Sequence, residues 1–185
     1  MTKNIFKIAA MAALVAGGIN MANAASSTTV TVKGSVNTVT CDVNAQASTI
    51  DLGNRLPGDF TSPGVLPTTA GATQPITLTV TGCSGTAGAQ NQASLVLSGP
   101  VLPAGNTYFN DDAAGKIGVG VAMSSAPTTL LPAGYNIPVG AKGDADTDLN
   151  NKQIELVAGL ISTMGNNTAS GLSVQAPLTF TFAYN

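Results

Sequence analysis

An all-β sandwich is the fold class this sequence predicts, and three observations predict it. Apolar side chains recur at every second position in most of the ordered stretches, which is the period of an extended strand. Turn residues are abundant, with 21 Gly and 10 Pro among 185 residues, and they punctuate those stretches. No segment sustains a helical period. Lys152 to Leu160 comes nearest, and there Gly159 and the β-branched Ile154 and Val157 argue against a helix. Many short strands separated by Gly/Pro turns pack as two sheets around one core. There is no internal repeat and no interdomain linker.

The chain opens with a segment that belongs to targeting rather than to the fold. Lys3 and Lys7 form a positive start, Ile8 to Ile19 is apolar, and Ala22-Asn23-Ala24 fits the small-x-small cleavage rule. Residues 1–24 therefore read as a secretory signal peptide, with Ala25 as the mature N-terminus. The apolar run is shorter than the ~20 residues that span a bilayer. Removing 24 of 185 residues leaves 161, a length that suits one domain with its own core.

Element by element, Thr28 to Thr40 reads as a strand with Val30, Val32, Gly34 and Val36 in one phase. Thr49 to Leu52 reads as a short strand ended by Gly53. Arg55 to Gly71 holds Pro57, Pro63 and Pro67 and reads as a loop. Pro75 to Cys83 alternates through Ile76, Leu78 and Val80, and Ala93 to Ser98 offers Leu95 and Leu97. Asn110 to Gly115 is a turn. Ile117, Val119, Val121 and Met123 alternate with Gly118, Gly120 and Ala122. Tyr135, Ile137 and Val139 form another short strand, followed by Gln153 to Ile161.

The last strand, Leu172 to Tyr184, carries the most information. Leu178, Phe180, Phe182 and Tyr184 share one face, with small or polar residues between them. A strand this apolar needs a covering partner, or it becomes a template for aggregation. The sequence stops at Asn185, so the expectation is that the cover comes from another chain.

Composition bounds the chemistry. Only 9% of residues are charged. Removing Lys3 and Lys7 from the seven basic residues leaves five against nine acidic ones, a net charge of −4. No basic patch points to nucleic acid. His is absent, which removes Ser–His and Cys–His catalysis. Cys41 and Cys83, an even count in an exported chain, imply a disulfide. Asp144, Asp146, Asp148 and Glu155 occupy relative positions 1, 3, 5 and 12 of a calcium-loop pattern. Leu149 stands where that loop needs Gly, and no helices flank it, so a solvated acidic loop is the expectation. The sequence thus offers no catalytic residue, no metal site and no cofactor.

Taken together, the alternating segment Ala25 to Val36, Cys41, the Thr-Ile-Asp-Leu-Gly53 segment, the Thr79-Val-Thr-Gly-Cys83 segment, Gly171 fourteen residues before the end and the penultimate Tyr184 resemble the chaperone–usher, type 1 family of fimbrial subunits. The resemblance covers essentially the whole chain. It implies an incomplete immunoglobulin-like β-sandwich that lacks its final strand and is completed by a donor strand from a neighbouring subunit. It implies a periplasmic chaperone that fills the gap first and holds the C-terminal carboxylate, then an outer membrane usher where the next subunit's extension replaces the chaperone strand. Alternate side chains of the added strand would enter pockets, and the head-to-tail contact would grow a filament.

Carried onto this sequence, the resemblance divides it into a signal peptide at 1–24, a donor extension at 25–34 and a pilin domain at 35–185. The donor face is Thr28, Val30, Val32, Gly34 and Val36. The acceptor and chaperone-binding strand takes in Gly171, Leu178, Phe180, Phe182, Tyr184 and Asn185. The product is a fimbrium on the bacterial surface, reached through the periplasm and supporting adhesion. A single-domain adhesive subunit that binds a host receptor, or a filament terminator, are the alternatives.

Overall fold

The computed structural model describes residues 39–86 and 88–184. The expected signal peptide, the donor positions Thr28, Val30, Val32, Gly34 and Val36, and Asn185 lie outside the described residues.

Among the described residues, eight strands form two antiparallel sheets. They are β1 (Val39–Ala45), β2 (Thr73–Gly85), β3 (Gln92–Ser98), β4 (Ile117–Met123), β5 (Ala126–Leu130), β6 (Asn136–Lys142), β7 (Lys152–Ser162) and β8 (Thr179–Tyr184). One sheet runs β1-β2-β7-β4-β5 and the other β6-β3-β8. Alternation puts Ile76, Leu78 and Val80 of β2, Val119 and Val121 of β4, and Ile154, Leu156, Ala158 and Leu160 of β7 on the inner face of the first sheet. Ala93, Leu95 and Leu97 of β3, with Ile137 and Val139 of β6, meet them from the second. This is the core of the predicted sandwich.

The larger sheet is also covered on its outer face. Leu66, from the proline-rich loop at 55–71, packs with Ala122 and Ile161 in a second, smaller cluster. The alternating glycines make this approach possible. A Cβ on Gly159 would lie 2.8 Å from the Leu66 side chain and 3.0 Å from the Ala72 carbonyl, and one on Gly118 would lie 3.1 Å from Tyr108. Small residues on one face of β4 and β7 are thus the seat of a second layer.

Four differences from the sequence expectations have physical causes. Thr49 to Leu52 is not a strand: Asp51 accepts from the Gly53 N–H at 2.8 Å, a local turn that competes with ladder formation. Ile50 and Leu52 still pack against the core. The first strand does not end at Thr40 but continues to Ala45, because Cys41 and Val43 keep the inward phase between Asp42 and Asn44. β5 was not expected; its residues are exposed almost throughout, so no apolar alternation marks it. A helical turn, α1 (Asp146–Leu149), sits within the expected acidic loop, anchored by the fully buried Leu149.

The expected last strand also starts late. Pairing with β3 begins at Thr179, just after Pro177, which has no N–H to give to a ladder. Gly171 therefore lies outside β8, in a turn with φ of +77°, rather than on the strand.

Candidate assembly site

Among the described strands, β1 and β8 are edges of different sheets and pack on each other along one side of the sandwich. Cys41 and Val43 of β1 lie partly buried against the core on that side. So do Val174, Ala176, Leu178, Phe180 and Phe182 on the segment leading into and through β8. Alternation continues upstream of the paired strand, since residues 173, 175 and 177 are exposed and 174, 176 and 178 half-buried. Of the expected acceptor residues, Leu178, Phe180 and Phe182 share this face. Tyr184 ends it, buried, with its hydroxyl 3.5 Å from the Gly88 carbonyl.

Hydrogen bonding fixes which way the β8 backbone faces. In an antiparallel ladder a residue turns its N–H and C=O to one side, and the next residue turns them to the other. Leu97 donates to the Tyr135 carbonyl at 3.1 Å and accepts from the Gly134 N–H at 2.7 Å. Both partners lie on the β6 side. Val96 and Ser98 therefore turn to β8, opposite Thr181 and Thr179. It follows that Thr179, Thr181 and Ala183 bond to β3, while Phe180, Phe182 and Tyr184 turn their N–H and C=O groups away from it. The residues with apolar side chains toward the core are the ones with polar backbone toward the open edge.

The same reasoning applies to β1. The Gln46 N–H donates to the Thr77 carbonyl at 3.0 Å, so Gln46 faces β2, and with it Asn44 and Asp42. Val43 and Ala45 face outward. Consistently, Val80, which stands opposite Val43, gives its carbonyl to the Asn151 N–H at 2.8 Å on the β7 side. Pro177 also falls in a fitting place. Gln175 uses its carbonyl for the Asp111 N–H at 2.9 Å, on the side away from the open edge. Pro177 has the same parity, so its missing N–H leaves the outward row from Val174 to Phe182 intact.

The opposite side of the sandwich is finished differently. β5 and β6 are the other two edges, joined by the short link at 131–135. β5 is polar, exposed and contains Pro127. On β6, Leu95 pairs with Ile137, so Ile137 faces β3 and Pro138 faces outward, where it deletes an edge donor. Proline on an outward edge position blocks strand addition. Among the described strands, β1 and β8 lack that block.

The Cys41–Cys83 disulfide stands at this seam, with Cα atoms 4.1 Å apart, and ties β1 to β2. Ile76, Leu78 and Val80 point inward at even positions, yet Cys83 is also inward. An extra residue on β2 between Thr81 and Ser84 resets the phase. Gly82, with φ of +60°, supplies that bulge. The Cys83 N–H is satisfied by Asn150 Oδ1 at 3.0 Å. The sequence identified the pair but not the bulge that aims it.

The acidic segment is used in folding. Asp144 Oδ2 accepts from the Ala141 N–H at 2.8 Å, Asp148 Oδ2 from the Ala145 N–H at 3.2 Å, and Asp146 Oδ1 from the Thr147 N–H at 2.9 Å. Among the described residues no group of three or more His, Cys, Asp or Glu side chains is placed to hold a metal ion.

Sequence reasoning missed Val174, Ala176, Cys41 and Val43 as parts of the seam. Val174 and Ala176 keep the period of two, but small side chains and Pro177 weaken the pattern.

Comparison with known proteins bears on the same features. The fimbrial protein family model matches residues 27–185, and the chain belongs to that family. Among solved structures it is similar to the P pilus rod subunit PapA, at 15% identity and a TM-score of 0.50 over 85% of this chain and 99% of that one. It is also similar to the CupB6 tip adhesin from Pseudomonas aeruginosa, at 16% identity and a TM-score of 0.44 over 80% of this chain and 46% of that one. No curated protein sequence matches. The two-sheet sandwich has the immunoglobulin-like pilin fold. The protein is a structural or adhesive subunit of a cell-surface fimbria and assembles with other fimbrial subunits.

Proposed function

We propose that this subunit polymerises by donor-strand exchange through the seam between β1 and β8. The observation that carries the reading is the coincidence on β8 of half-buried apolar side chains and outward backbone groups at the same residues. An added strand would gain main-chain hydrogen bonds and apolar burial together. The seam offers alternate positions at Val174, Ala176, Leu178, Phe180 and Phe182. The N-terminal segment offers alternate positions at Thr28, Val30, Val32, Gly34 and Val36, a row of equal length. Burying Val30, Val32 and Val36 contributes about 1.5–3 kcal/mol each.

On this reading residues 1–24 are removed on export, 25–34 form the donor and 35–185 the pilin domain. A periplasmic chaperone occupies the seam first and holds the carboxylate at Asn185, and an outer membrane usher is where the next subunit displaces it. Gly171 provides the turn that brings the chain onto the acceptor edge. Deleting Ala25 to Val32 tests the assignment. The shortened subunit should still be recovered bound to chaperone and still accept a donor peptide, yet fail to enter a preceding subunit. Filaments formed by the shortened chain at the normal yield would place the donor elsewhere.

A further inference from the structure

Away from the seam, the outer face of the smaller sheet carries a polar pocket. It holds about 180 Å³ and is lined by Gln90, Gln92, Ser94, Asn136, Pro138 and Lys142. Its origin is a break in register. β3 advances from Gln92 to Ser94 while β6 runs from Lys142 to Pro138. The extra residues bow β6 and part the two strands, as bulges do when they re-aim side chains. Gln92 spans the gap and donates to the Gly140 carbonyl at 2.7 Å. Only glycine fits at the bend, because a Cβ on Gly140 would lie 2.5 Å from Asp144 Oδ2 and 2.8 Å from Leu149. The bow is therefore fixed by packing against α1.

We infer that this pocket binds an acidic monosaccharide unit of a glycan. Ser94 Oγ lies 3.5 Å from the Ala183 carbonyl and the Gln92 amide donates to Gly140, which leaves the side-chain amides of Gln90 and Asn136, able both to donate and to accept, and the Gln92 side-chain oxygen to meet a polyol. The lining supplies one cation, Lys142, and among the described residues no carboxylate lines the pocket. Asp144, two residues on, is committed to the Ala141 N–H. Lys142 thus offers its ammonium to an acid on the ligand. The volume lies below the ~300–1,000 Å³ of sites for drug-sized ligands, so it suits one ring of a chain rather than several. The proposal deepens the adhesive side of the fimbrial reading. In the order β6-β3-β8 the pocket is on the far side of β3 from the open edge, so strand addition at β8 leaves it exposed. A filament would then repeat a weak site once per subunit, and avidity would multiply it.

The test uses purified filaments, counted by electron microscopy in the same preparations, on surfaces bearing a carboxylated, a sulfated or a neutral polysaccharide. Filaments should be retained on one or both acidic surfaces and not on the neutral one, and the two acidic arms tell a carboxylate ligand from a sulfate. Lys142→Gln should reduce retention about tenfold or more, the scale of one charge-assisted hydrogen bond, and Asn136→Ala should reduce it too. Lys152→Gln, the same charge change outside the pocket, should leave retention unchanged. Equal retention on all surfaces, or equal loss with Lys142→Gln and Lys152→Gln, overturns the pocket. Absence of filaments would instead count against the assembly reading, so the two failures are distinct.

Discussion

The direction of the β8 backbone is testable with proline at two adjacent positions. Thr181 turns its N–H to β3, opposite Val96, whereas Phe182 turns its N–H to the open edge. In an extended chain proline deletes the N–H and holds φ at about −65°, at the margin of the extended range. Comparison with alanine at the same site removes the side-chain contribution. Thr181→Pro, relative to Thr181→Ala, strands the Val96 carbonyl inside the sheet. A buried group left unpaired costs about 1–3 kcal/mol, a large share of the ~5–15 kcal/mol that typically holds a domain folded. Phe182→Pro, relative to Phe182→Ala, deletes a donor that no other described strand accepts from, and its unfolding free energy from urea titration should differ by less than about 0.5 kcal/mol. The cost appears when a strand is added, because one carbonyl of that strand then goes unpaired. Capture of a peptide copying residues 25–36 should weaken by about 1–3 kcal/mol, or roughly 5- to 150-fold. Urea unfolding and peptide titration on the mature subunit separate the two effects. If Phe182→Pro unfolds the subunit and Thr181→Pro spares it while abolishing capture, the ladder runs the other way and the seam argument fails.

Two further outcomes concern the support of the seam. Replacing Cys41 or Cys83 by Ser opens a loop with a sequence separation of 42, for which chain entropy gives about 4 kcal/mol; non-reducing peptide mapping should show the bridge in the native chain, and urea midpoints should fall accordingly in either variant. Gly82→Ala should cost about 1–2 kcal/mol, because an L-residue at φ of +60° is strained. Adding Asp42→Ala, which clears the carboxylate 2.9 Å from the new Cβ, should recover little of that loss in the same assay.

Much of the fold was legible because side-chain period survives in the buried strands. β2, β3, β4 and β7 lie within a few residues of the expected strands, since Ile76 to Val80, Leu95 to Leu97, Ile117 to Met123 and Ile154 to Leu160 keep their apolar phase. β5 was not legible because an exposed edge strand has no apolar face to alternate. Leu149 interrupts the calcium-loop pattern in the sequence, and its complete burial makes it the anchor of α1. The acceptor strand was legible at Leu178, Phe180 and Phe182, where the side chains are large. Its backbone direction was not, because that depends on which carbonyl Leu97 uses, a fact of pairing between distant segments. The bulge at Gly82 was hidden for a related reason. The sequence shows a glycine beside a cysteine, and only the register against β1 shows that an extra residue turns that cysteine inward.

The four edges of the sandwich explain how one domain is both stable and unfinished. A complete sandwich must blunt every edge, or it aggregates. Here the blunting is uneven. β5 and β6 are joined by a short link, and each bears a proline. β1 is held by a disulfide to β2 but keeps its outward groups at Val43. β8 is held by one ladder, to β3, and keeps the outward groups of Phe180 and Phe182. On the proposed reading, strand addition is directed to one seam by the prolines that β5 and β6 carry and that β1 and β8 lack. On the same proposal growth would be polar, because a seam that accepts a strand without exchanging one in return generates an open, head-to-tail series. The apolar side chains that close the core on that flank are the ones an incoming strand would cover. Subunit stability and filament stability are for that reason coupled through Leu178, Phe180 and Phe182: no substitution there can weaken the polymer contact and leave the domain untouched, whereas a backbone change at the outward N–H of Phe182 can.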